Sequence, residues 1–394
     1  MKTVDDFNFK GKKVLVRVDF NVPVKDNCVT DDTRIRRALP TLKKILNDGG
    51  SLILMSHLGR PKDKEPQFSL KQIVPVLEQL LGHKVSFVSG ITGAEVQKKV
   101  AHLKPGQVLL LENLRYDPRE KKGNEDFAKE LASLGDFYVN DAFGTAHRAH
   151  ASTAVIGKFF PQKKAAGYLL ANEVKQIGRA LKEGEHPVTA IIGGAKVSSK
   201  IGVLENLLDK VDNLIIVGGM AYTFLRALGY ETADSIAEEE MIPKAKQILD
   251  KAREKGVNVI LPLDIVIADR FSPDANIRIV SIDQIPAGWQ GLDIGPETIR
   301  KIRDVILNSK TIIWNGPAGV FEWDKFAQGT NAIGEAVAEA TARGSYSIVG
   351  GGDSVSAVKK AGLEDKISYI STGGGAMIEM LEGKSLPGIV ALEQ

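Results

Sequence analysis

The feature that most constrains the fold is an almost unbroken alternation of short apolar runs and amphipathic helical segments. Residues 14–18 and 52–56 are predicted strands, and residues 34–48 form a predicted helix between them. Residues 70–81 place their aliphatic side chains on one face, at the 3.6-residue period of a helix. The strand-like runs lack polar alternation, which is typical of a parallel sheet covered by helices on both faces. The sequence therefore predicts an α/β fold with mainly parallel sheets.

Further apolar runs continue the pattern along the chain. They are residues 108–111, 137–139, 190–192, 214–217, 259–261, 311–314 and 347–349. Many of them end directly in Gly, Asn, Asp or Ser. Because ligands bind beyond the carboxyl ends of parallel strands, we expect the functional residues in these turns.

The length of 394 residues exceeds one ordinary hydrophobic core, so two domains are expected. A long helical segment at residues 169–183 is followed by a turn-rich GEHP stretch, and no low-complexity linker occurs. We therefore predict a first domain at residues 1–168, a connecting helix at 169–185 and a second domain at 186–375.

Composition narrows the class of protein. Hydrophobic residues make up 43% and charged residues 26%, values typical of a soluble globular protein. The net charge of +3 and the absence of a dense Lys/Arg block argue against a nucleic-acid partner. The single cysteine, Cys28, fits a reducing compartment, and no apolar run reaches the roughly 18 residues of a membrane span. Without the apolar core of a signal peptide, the chain is expected to be cytoplasmic and free of membranes.

The turns of the first half carry a set of cationic residues. Each belongs to a different strand end: Arg34 after VDFNVP, Arg60 in SHLGRP, Arg115 in LENLRY and Arg148 in HRAH. Guanidinium groups suit phosphate and carboxylate oxygens, so four of them at one sheet edge predict a small polyanionic ligand. The alternative is that these arginines are solvated or pair with neighbouring carboxylates. His147 and His150 have a spacing that a metal site can use, but no cysteine or carboxylate pair completes one.

In the second half, an apolar run leads into Gly350, Gly351 and Gly352 and then into a predicted helix at residues 353–360. Free N–H groups and the positive end of the helix dipole make such a turn an anion site, and glycines let a phosphate approach closely. A carboxylate at Asp353 beside a phosphate calls for a cation, which favours magnesium-bound nucleotide. The alternative is a tight turn that Asp353 caps.

Other glycine turns repeat this theme. IIGGAKVSSK offers Lys196 and Lys200, whose spacing of four puts both on one helical face. IIWNGPAGVFEW supplies Glu322. Its carboxylate could accept hydrogen bonds from ribose hydroxyls, or it could be a surface carboxylate on a turn. STGGGA is a second glycine triplet that precedes a predicted helix. The N-terminus of that helix could stabilise the negative charge that develops when a group is transferred. The chain has no P-loop, no protein-kinase H-R-D or D-F-G set, no dinucleotide fingerprint and no hydrolase nucleophile elbow.

Taken together, the motifs VDFNVP, SHLGRP, LLLENLR, NDAFGTAHRAHAS, IIGGAKVSSK, VGGMAYTF, WNGPAGVFEW, GGGDS and STGGGA resemble the phosphoglycerate kinase family, in order and over nearly the whole chain. The resemblance implies two Rossmann-like domains facing across a cleft and joined by a helix. The first would hold 3-phosphoglycerate or 1,3-bisphosphoglycerate, and the second ADP or ATP with Mg²⁺. It also implies a monomer whose tail, from about residue 376 to 394, folds back onto the first domain.

The resemblance assigns roles to individual positions. The positions matched to the phosphoglycerate are Asp19, Phe20, Asn21, Arg34, His57, Leu58, Gly59, Arg60, Arg115 and Arg148. Those matched to the nucleotide are Lys200, Gly218, Gly219, Gly291, Asn315, Glu322, Gly350, Gly351, Gly352, Asp353 and Ser354, with Asp353 holding the metal through the nucleotide. Candidates for stabilising the transferring group are Arg34, Lys196, Gly351 and Gly374. Two departures from the family pattern are Val217, where a third glycine is common, and the pair Ser198-Ser199 between the lysines.

The expected reaction moves a phosphoryl group between an acyl phosphate and ADP. A carboxylate is ionised at neutral pH, so the attacking oxygen needs no general base, and alignment with charge stabilisation remains. With the two ligands on separate domains, we expect closure about the helix at residues 169–183 and its ends. Two alternatives are a nicotinamide-dependent oxidoreductase, against which the missing fingerprint argues, and a non-catalytic nucleotide-binding protein.

Overall fold

The computed structural model describes residues 1–394, and the chain divides into two compact units. The first comprises Met1–Lys175 and Ser385–Gln394, and the second comprises Gln176–Lys384. The tail prediction was wrong in detail, because residues 376–384 belong to the second unit. There the helix Gly375–Leu381 packs against the helix Ile201–Leu207, so only the last residues return to the first unit.

The first unit is built on a six-stranded parallel sheet with the order β5-β6-β4-β1-β7-β8. The strands of this unit are β1 Lys13–Arg17, β2 Val24–Lys25, β3 Cys28–Val29, β4 Ser51–Met55, β5 Val85–Phe87, β6 Val108–Leu110, β7 Phe137–Asn140 and β8 Lys164–Ala166. Strands β2 and β3 form a separate antiparallel hairpin. The central strands β1 and β4 are buried along their length except for Lys13, which confirms the predicted parallel α/β architecture.

Four helices flank this sheet: α1 Thr33–Asn47, α2 Val74–Leu81, α3 Ala94–Ala101 and α4 Glu125–Ala132. The predicted helix at residues 70–81 begins as a short 3-10 helix, Leu70–Ile73, and becomes α-helical only at Val74. Pro75 lies in the first turn of α2, where a missing N–H costs nothing. Leu70, Ile73 and Leu77 are fully buried, so the predicted apolar face does contact the core.

Helix α5, Tyr168–Lys182, contains the division between the units. The second unit holds a six-stranded parallel sheet, order β11-β10-β9-β15-β16-β17, and a three-stranded antiparallel sheet, order β13-β12-β14. Its strands are β9 Val188–Ile192, β10 Asn213–Ile216, β11 Asn258–Ile260, β12 Asp264–Ala268, β13 Ile277–Ser281, β14 Gln290–Ile294, β15 Thr311–Asn315, β16 Tyr346–Gly350 and β17 Tyr369–Ile370. The sequence analysis missed the antiparallel sheet, because β13 exposes most of its residues and lacks a core-facing pattern.

The second unit's helices are α6 Ile201–Leu207, α7 Met220–Ala227, α8 Ile242–Glu254, α9 Pro296–Leu307, α10 Gln328–Ala342, α11 Gly352–Lys360 and α12 Gly375–Leu381. Buried Trp314 on β15 lies in the main core with aliphatic side chains of α9 and α10. The carboxyl ends of β9, β10, β15 and β16 all lead into glycine turns, which places those turns at one edge of the sheet.

The last helix, α13 Pro387–Glu393, packs in the first unit against the short 3-10 helix Val155–Phe159 and against β8. The approach is close, because a Cβ on Gly157 would lie 2.7 Å from the carbonyl oxygen of Ala391. The backbone N–H of Gly388 also donates to the carbonyl oxygen of Ala146 at 2.8 Å. No helix in the protein has both the length and the apolar character needed to traverse a bilayer.

Candidate active site

The first part of the site begins at the carboxyl end of β1. Arg34, in the first turn of α1, donates from Nη1 to both carboxylate oxygens of Asp19 at 3.2 Å and to the carbonyl oxygen of Asn21 at 3.1 Å. Asp19 is buried, whereas the Arg34 side chain is 37% exposed. All three hydrogen bonds start from Nη1 of Arg34. Asp19 therefore orients the guanidinium group, and the Nη2 and Nε edge of Arg34 stays available to an anion.

The loop after β4 is held by side-chain amides. The Asn21 side-chain oxygen accepts from the N–H of Gly59 at 2.8 Å, and Asn113 bonds both the N–H and the carbonyl oxygen of Leu58. Arg115 donates from Nη1 to the carbonyl oxygen of Gly59 at 2.8 Å. Gly59 is required here, because its φ is +62° and a Cβ would lie 2.4 Å from the ring of Phe68. The predicted loop residues are therefore brought together, with Asn113 as a support that the sequence analysis missed.

Arg17, which the sequence analysis also missed, lies behind the loop. It is 1% exposed and donates to the Ser152 hydroxyl at 2.9 Å and toward Nδ1 of His57 at 3.2 Å. A guanidinium can only donate, so Nδ1 of His57 accepts and Nε2 carries the imidazole proton. Burial, followed by the charges of neighbouring arginines, holds the pKa of His57 well below its ordinary value. His57 is thus a neutral donor at physiological pH. An arginine inside an apolar strand was the sequence signal for Arg17.

Mutual electrostatic effects show that the cationic side chains share one region. Burial and the nearby Arg17 lower the pKa of Arg115, and burial with the same arginines lowers the pKa of His150 to about 4. The residues linked by these effects are Arg17, Arg34, Arg60, Arg115, Arg148, His57, His147 and His150. No group of His, Cys, Asp or Glu side chains is arranged to hold a metal ion. An excess of positive charge around partly buried arginines is the arrangement of an anion site.

The other predicted residues of this region differ in exposure. Arg60 and Arg148 are exposed, whereas Phe20 and Leu58 are buried in the core. Phe20 donates its backbone N–H to the Ser56 hydroxyl at 2.9 Å. Phe20 and Leu58 therefore support the loops by packing and by backbone bonds.

The second unit contains a cavity of about 400 Å³ at the glycine turns after β9, β10 and β15. Its lining includes the predicted residues Gly218, Gly219, Gly291, Glu322 and Asp353. The sequence analysis missed most of the apolar lining, namely Tyr222, Ile236, Phe271, Leu292 and Val320, because nothing in the local sequence pattern distinguishes them from core residues. An apolar cavity with a few polar groups at its margin suits a small organic ligand such as a nucleoside.

Glycine is required by the shape of this cavity at two positions. A Cβ on Gly291 would lie 2.0 Å from the Tyr222 hydroxyl oxygen, so a side chain there would displace the tyrosine. Gly218 has a φ of +75°, and a Cβ on it would lie 2.7 Å from the backbone of Gly194. At these two positions the backbone itself therefore forms the wall, which brings N–H groups close to any ligand.

At the start of α11 the polar residues bond to one another. The Asn315 side chain accepts from Lys200 Nζ and donates to the carbonyl oxygen of Gly350 at 2.9 Å, while the Ser354 hydroxyl accepts from the N–H of Gly316 at 2.6 Å. Burial lowers the pKa of Lys200 despite the opposing charges of Asp353 and Glu382. Gly351, with φ +93°, precedes the helix, and the turn of Gly350, Gly351 and Gly352 leads to an exposed Asp353. Asn315 and Ser354 thus fix the turn at which an anion meets the N–H groups of α11.

The two remaining candidates lie on separate turns. Lys196 is exposed and precedes the short 3-10 helix Val197–Ser199, where Ser198 bonds the carboxylate of Glu238 at 2.5 Å. Gly374, with φ +50°, comes directly before α12, and a Cβ there would meet no atom within 4 Å. Ser198, noted as a departure from the family pattern, therefore anchors the turn that carries Lys196.

Comparison with known proteins decides the family. A family model described as phosphoglycerate kinase matches residues 4–384. The chain belongs to the phosphoglycerate kinase family. It is 54% identical to a phosphoglycerate kinase of Porphyromonas gingivalis over 99% of this chain and 100% of that protein. It is also 53% identical to a cytosolic phosphoglycerate kinase of Arabidopsis thaliana over 100% and 98%.

Solved structures of phosphoglycerate kinases agree with the fold. That of Coxiella burnetii matches with a TM-score of 0.91 at 43% identity, and that of Pyrococcus horikoshii with 0.82 at 31%, each covering 100% of this chain and 98% of the other. The predictions of two Rossmann-like α/β domains and of a phosphotransferase with glycolytic kinase function are confirmed.

Behind the cavity of this kinase lies a buried carboxylate that the motifs did not indicate. Asp293, at 1% exposure, accepts from the N–H of Gly329 in the first turn of α10 at 2.9 Å and from its neighbour Ile294 at 2.8 Å. A Cβ on Gly319, which lines the cavity, would lie 2.6 Å from the Asp293 carboxylate. Burial raises the pKa of Asp293 to about 7, against the effect of these two bonds.

This shift predicts how stability depends on pH. Between about pH 4 and pH 7 the folded second unit retains a proton on Asp293 that the unfolded chain has lost, so the free energy of unfolding falls as pH rises. Asp293→Asn should remove this slope of up to about 1.4 kcal/mol per pH unit. Urea unfolding followed by tryptophan fluorescence measures it, because Trp289, Trp314 and Trp323 all lie in the second unit. Asp141→Asn, a buried carboxylate of the first unit with its pKa also raised to about 7, is the matched control. A wild-type slope in Asp293→Asn contradicts the assignment.

Proposed function

We propose that this kinase transfers a phosphoryl group reversibly between 1,3-bisphosphoglycerate and ADP, giving 3-phosphoglycerate and ATP. The observation that supports the proposal is that one chain contains two different sites. The first unit has an anion site of arginines and histidines, and the second has a glycine-lined cavity whose lining includes Asp353. A bisphosphorylated acyl compound suits the first site, and a nucleotide suits the second.

In the first unit, the exposed guanidinium edge of Arg34 and the Nε2–H of His57 donate to the phosphoglycerate. Arg60, Arg115 and Arg148 supply further charge, while Asp19 and Asn21 orient Arg34 and the loop after β4. The carboxylate of 3-phosphoglycerate is already ionised, so no base is needed to activate it.

In the second unit, the nucleoside enters the cavity against Gly218, Gly219 and Gly291, with Glu322 toward the ribose. The phosphates meet the N–H groups that follow Gly350, Gly351 and Gly352, with Lys200 beside them. Lys196, Arg34 and the turns at Gly351 and Gly374 stabilise the charge on the transferring group, which moves in line from one oxygen to the other.

The residues present suit a magnesium ion bound with the nucleotide. Asp353 is an exposed carboxylate in the first turn of α11 that accepts no hydrogen bond from the protein, and it lines the cavity. Mg²⁺ is commonly held by one or two carboxylates together with substrate phosphates. When bound, it would neutralise phosphate charge during transfer.

A coupled assay of ATP formation from 1,3-bisphosphoglycerate and ADP tests the function. Activity that disappears with EDTA and returns with Mg²⁺ is the expected result. An absorbance change that requires a nicotinamide cofactor without a coupling enzyme would instead support the oxidoreductase alternative. We further propose a cytoplasmic monomer that acts without nucleic acid or membranes, as the cytosolic relative and the modest charge suggest.

Because the two ligands are assigned to different units, transfer requires the units to close about α5 and to exclude water. We expect small-angle X-ray scattering to show a smaller radius of gyration with 3-phosphoglycerate and a non-hydrolysable ATP analogue together than with either alone. Each single ligand serves as the control. An unchanged radius with both ligands bound would count against closure.

A further inference from the structure

The first unit contains a second cavity, whose lining includes none of the cationic residues described above. It measures about 520 Å³ and lies between the short 3-10 helix Val155–Phe159, β8 and α13. Its wall is mostly aliphatic, with contributions from Ala154, Val155, Pro161, Pro387, Val390 and Ala391. A volume of this size accommodates a small organic molecule.

One charged group lines this cavity from a buried position. Lys164, on the edge strand β8, is 8% exposed, and its ammonium donates only to the carbonyl oxygen of Gly157, at 3.1 Å. An ammonium has three N–H donors, so its other two have no protein acceptor. Burial lowers the pKa of Lys164. Its ammonium forms no ion pair, although the C-terminal residue Gln394 also lines the cavity.

A buried cation without a counter-ion is unusual, because desolvation of a charge is costly unless an opposite charge compensates it. The other lysine of the cavity, Lys158, differs, since it is 63% exposed and pairs with Glu125 at 3.1 Å. Of the two lysines, only Lys164 therefore lacks a counter-ion. The cavity suits one monovalent anion that has an apolar part to lie against the aliphatic wall.

We propose that this cavity binds a small amphipathic carboxylate, with its head group on Lys164 and its aliphatic body against Val155 and Val390. One ammonium matches one carboxylate, and the wall offers apolar surface to a chain of several methylenes. None of its lining residues was assigned to phosphoryl transfer, so we expect an occupant other than the substrate or the nucleotide.

Titration calorimetry of the full chain with octanoate tests the proposal. We expect saturable binding of one octanoate per chain, unaffected by saturating 3-phosphoglycerate. Lys164→Met keeps the length of the side chain and removes its charge, so it should bind octanoate about tenfold or more weakly. Lys158→Met is the matched control and should bind like the wild type.

Val390→Phe provides a second variant, because it fills the cavity while leaving Lys164 intact. It should abolish octanoate binding, with an unchanged circular dichroism spectrum. Inorganic phosphate tests whether a negative charge alone is enough for binding. We expect phosphate not to compete with octanoate, because it has no aliphatic part to contact the wall. Absence of octanoate binding to the wild type, equal binding by Lys164→Met, or displacement by 3-phosphoglycerate would overturn the proposal.

Discussion

Lys196→Ala is expected to lower kcat by roughly a hundredfold or more, with little change in the KM for ADP. Loss of one group that stabilises transferring charge typically costs about 3 kcal/mol in the transition state. Lys196 is exposed and does not line the cavity to which we assign the nucleoside, so its contribution to ground-state binding should be small. Steady-state kinetics of ATP formation, with both substrates varied in turn, measures the two parameters separately.

Lys200→Ala is the matched comparison, since Lys200 lies four residues further on and bonds Asn315 at the turn before α11. We expect it to raise the KM for ADP, because it removes a positive charge beside the phosphates and leaves Asn315 without its donor. If Lys196→Ala instead loses kcat and nucleotide affinity equally, Lys196 is a binding residue rather than a catalytic one.

Arg17→Met is expected to destabilise the first unit by about 3–5 kcal/mol, because it leaves the buried Glu120 without the charge that most opposes the rise in its pKa. Arg17 and Glu120 are both buried and both bond to Ser152: Arg17 donates to its hydroxyl at 2.9 Å, and Glu120 accepts from its backbone N–H at 2.8 Å. Burial raises the pKa of Glu120, and the charge of Arg17 opposes that rise. Without Arg17, the Glu120 carboxylate must either take up a proton or be exposed to solvent by local unfolding.

The double variant Arg17→Met/Glu120→Gln separates this effect from simple loss of packing. It should unfold at a higher urea concentration than Arg17→Met alone, because no uncompensated charge remains. Far-UV circular dichroism follows both units, while tryptophan fluorescence reports the second unit and serves as an internal control. If the double variant is as unstable as the sum of the single ones, Arg17 stabilises the unit through its hydrogen bonds and not by charge compensation.

Much of the fold could be predicted from local sequence. Apolar runs without polar alternation indicated strands such as β1, β4 and β16, whose burial on both faces requires that pattern. The antiparallel sheet escaped prediction because the exposed strand β13 is held by pairing with β12 rather than by a face of its own. The boundary of the tail was wrong for a similar reason, since contact of α12 with α6, not local propensity, decides where residues 376–384 lie.

The residues of the candidate site also fall into two groups, those that the sequence predicted and those that only the structure revealed. Motif residues such as Arg60 and Asp353 follow the ends of strands, where topology alone directs them to the carboxyl edge of their sheet. Arg17, Asn113, Tyr222 and Asp293 lie inside or beside apolar runs, and only their partners reveal what they do. Asn113 becomes a loop support because Leu58 and Phe68 present backbone groups to it.

The sequence by itself determined the α/β class, the family and the turns that carry its polar and glycine residues, because these follow from short-range periodicity and from motifs of adjacent residues. The tertiary structure decided which buried charges are compensated, as at Arg17, and which are not, as at Lys164. It also decided that Nδ1 of His57 accepts from Arg17 and that burial raises the pKa of Asp293 to about 7. Such properties depend on burial and on charges contributed by distant parts of the chain, and no local pattern encodes either.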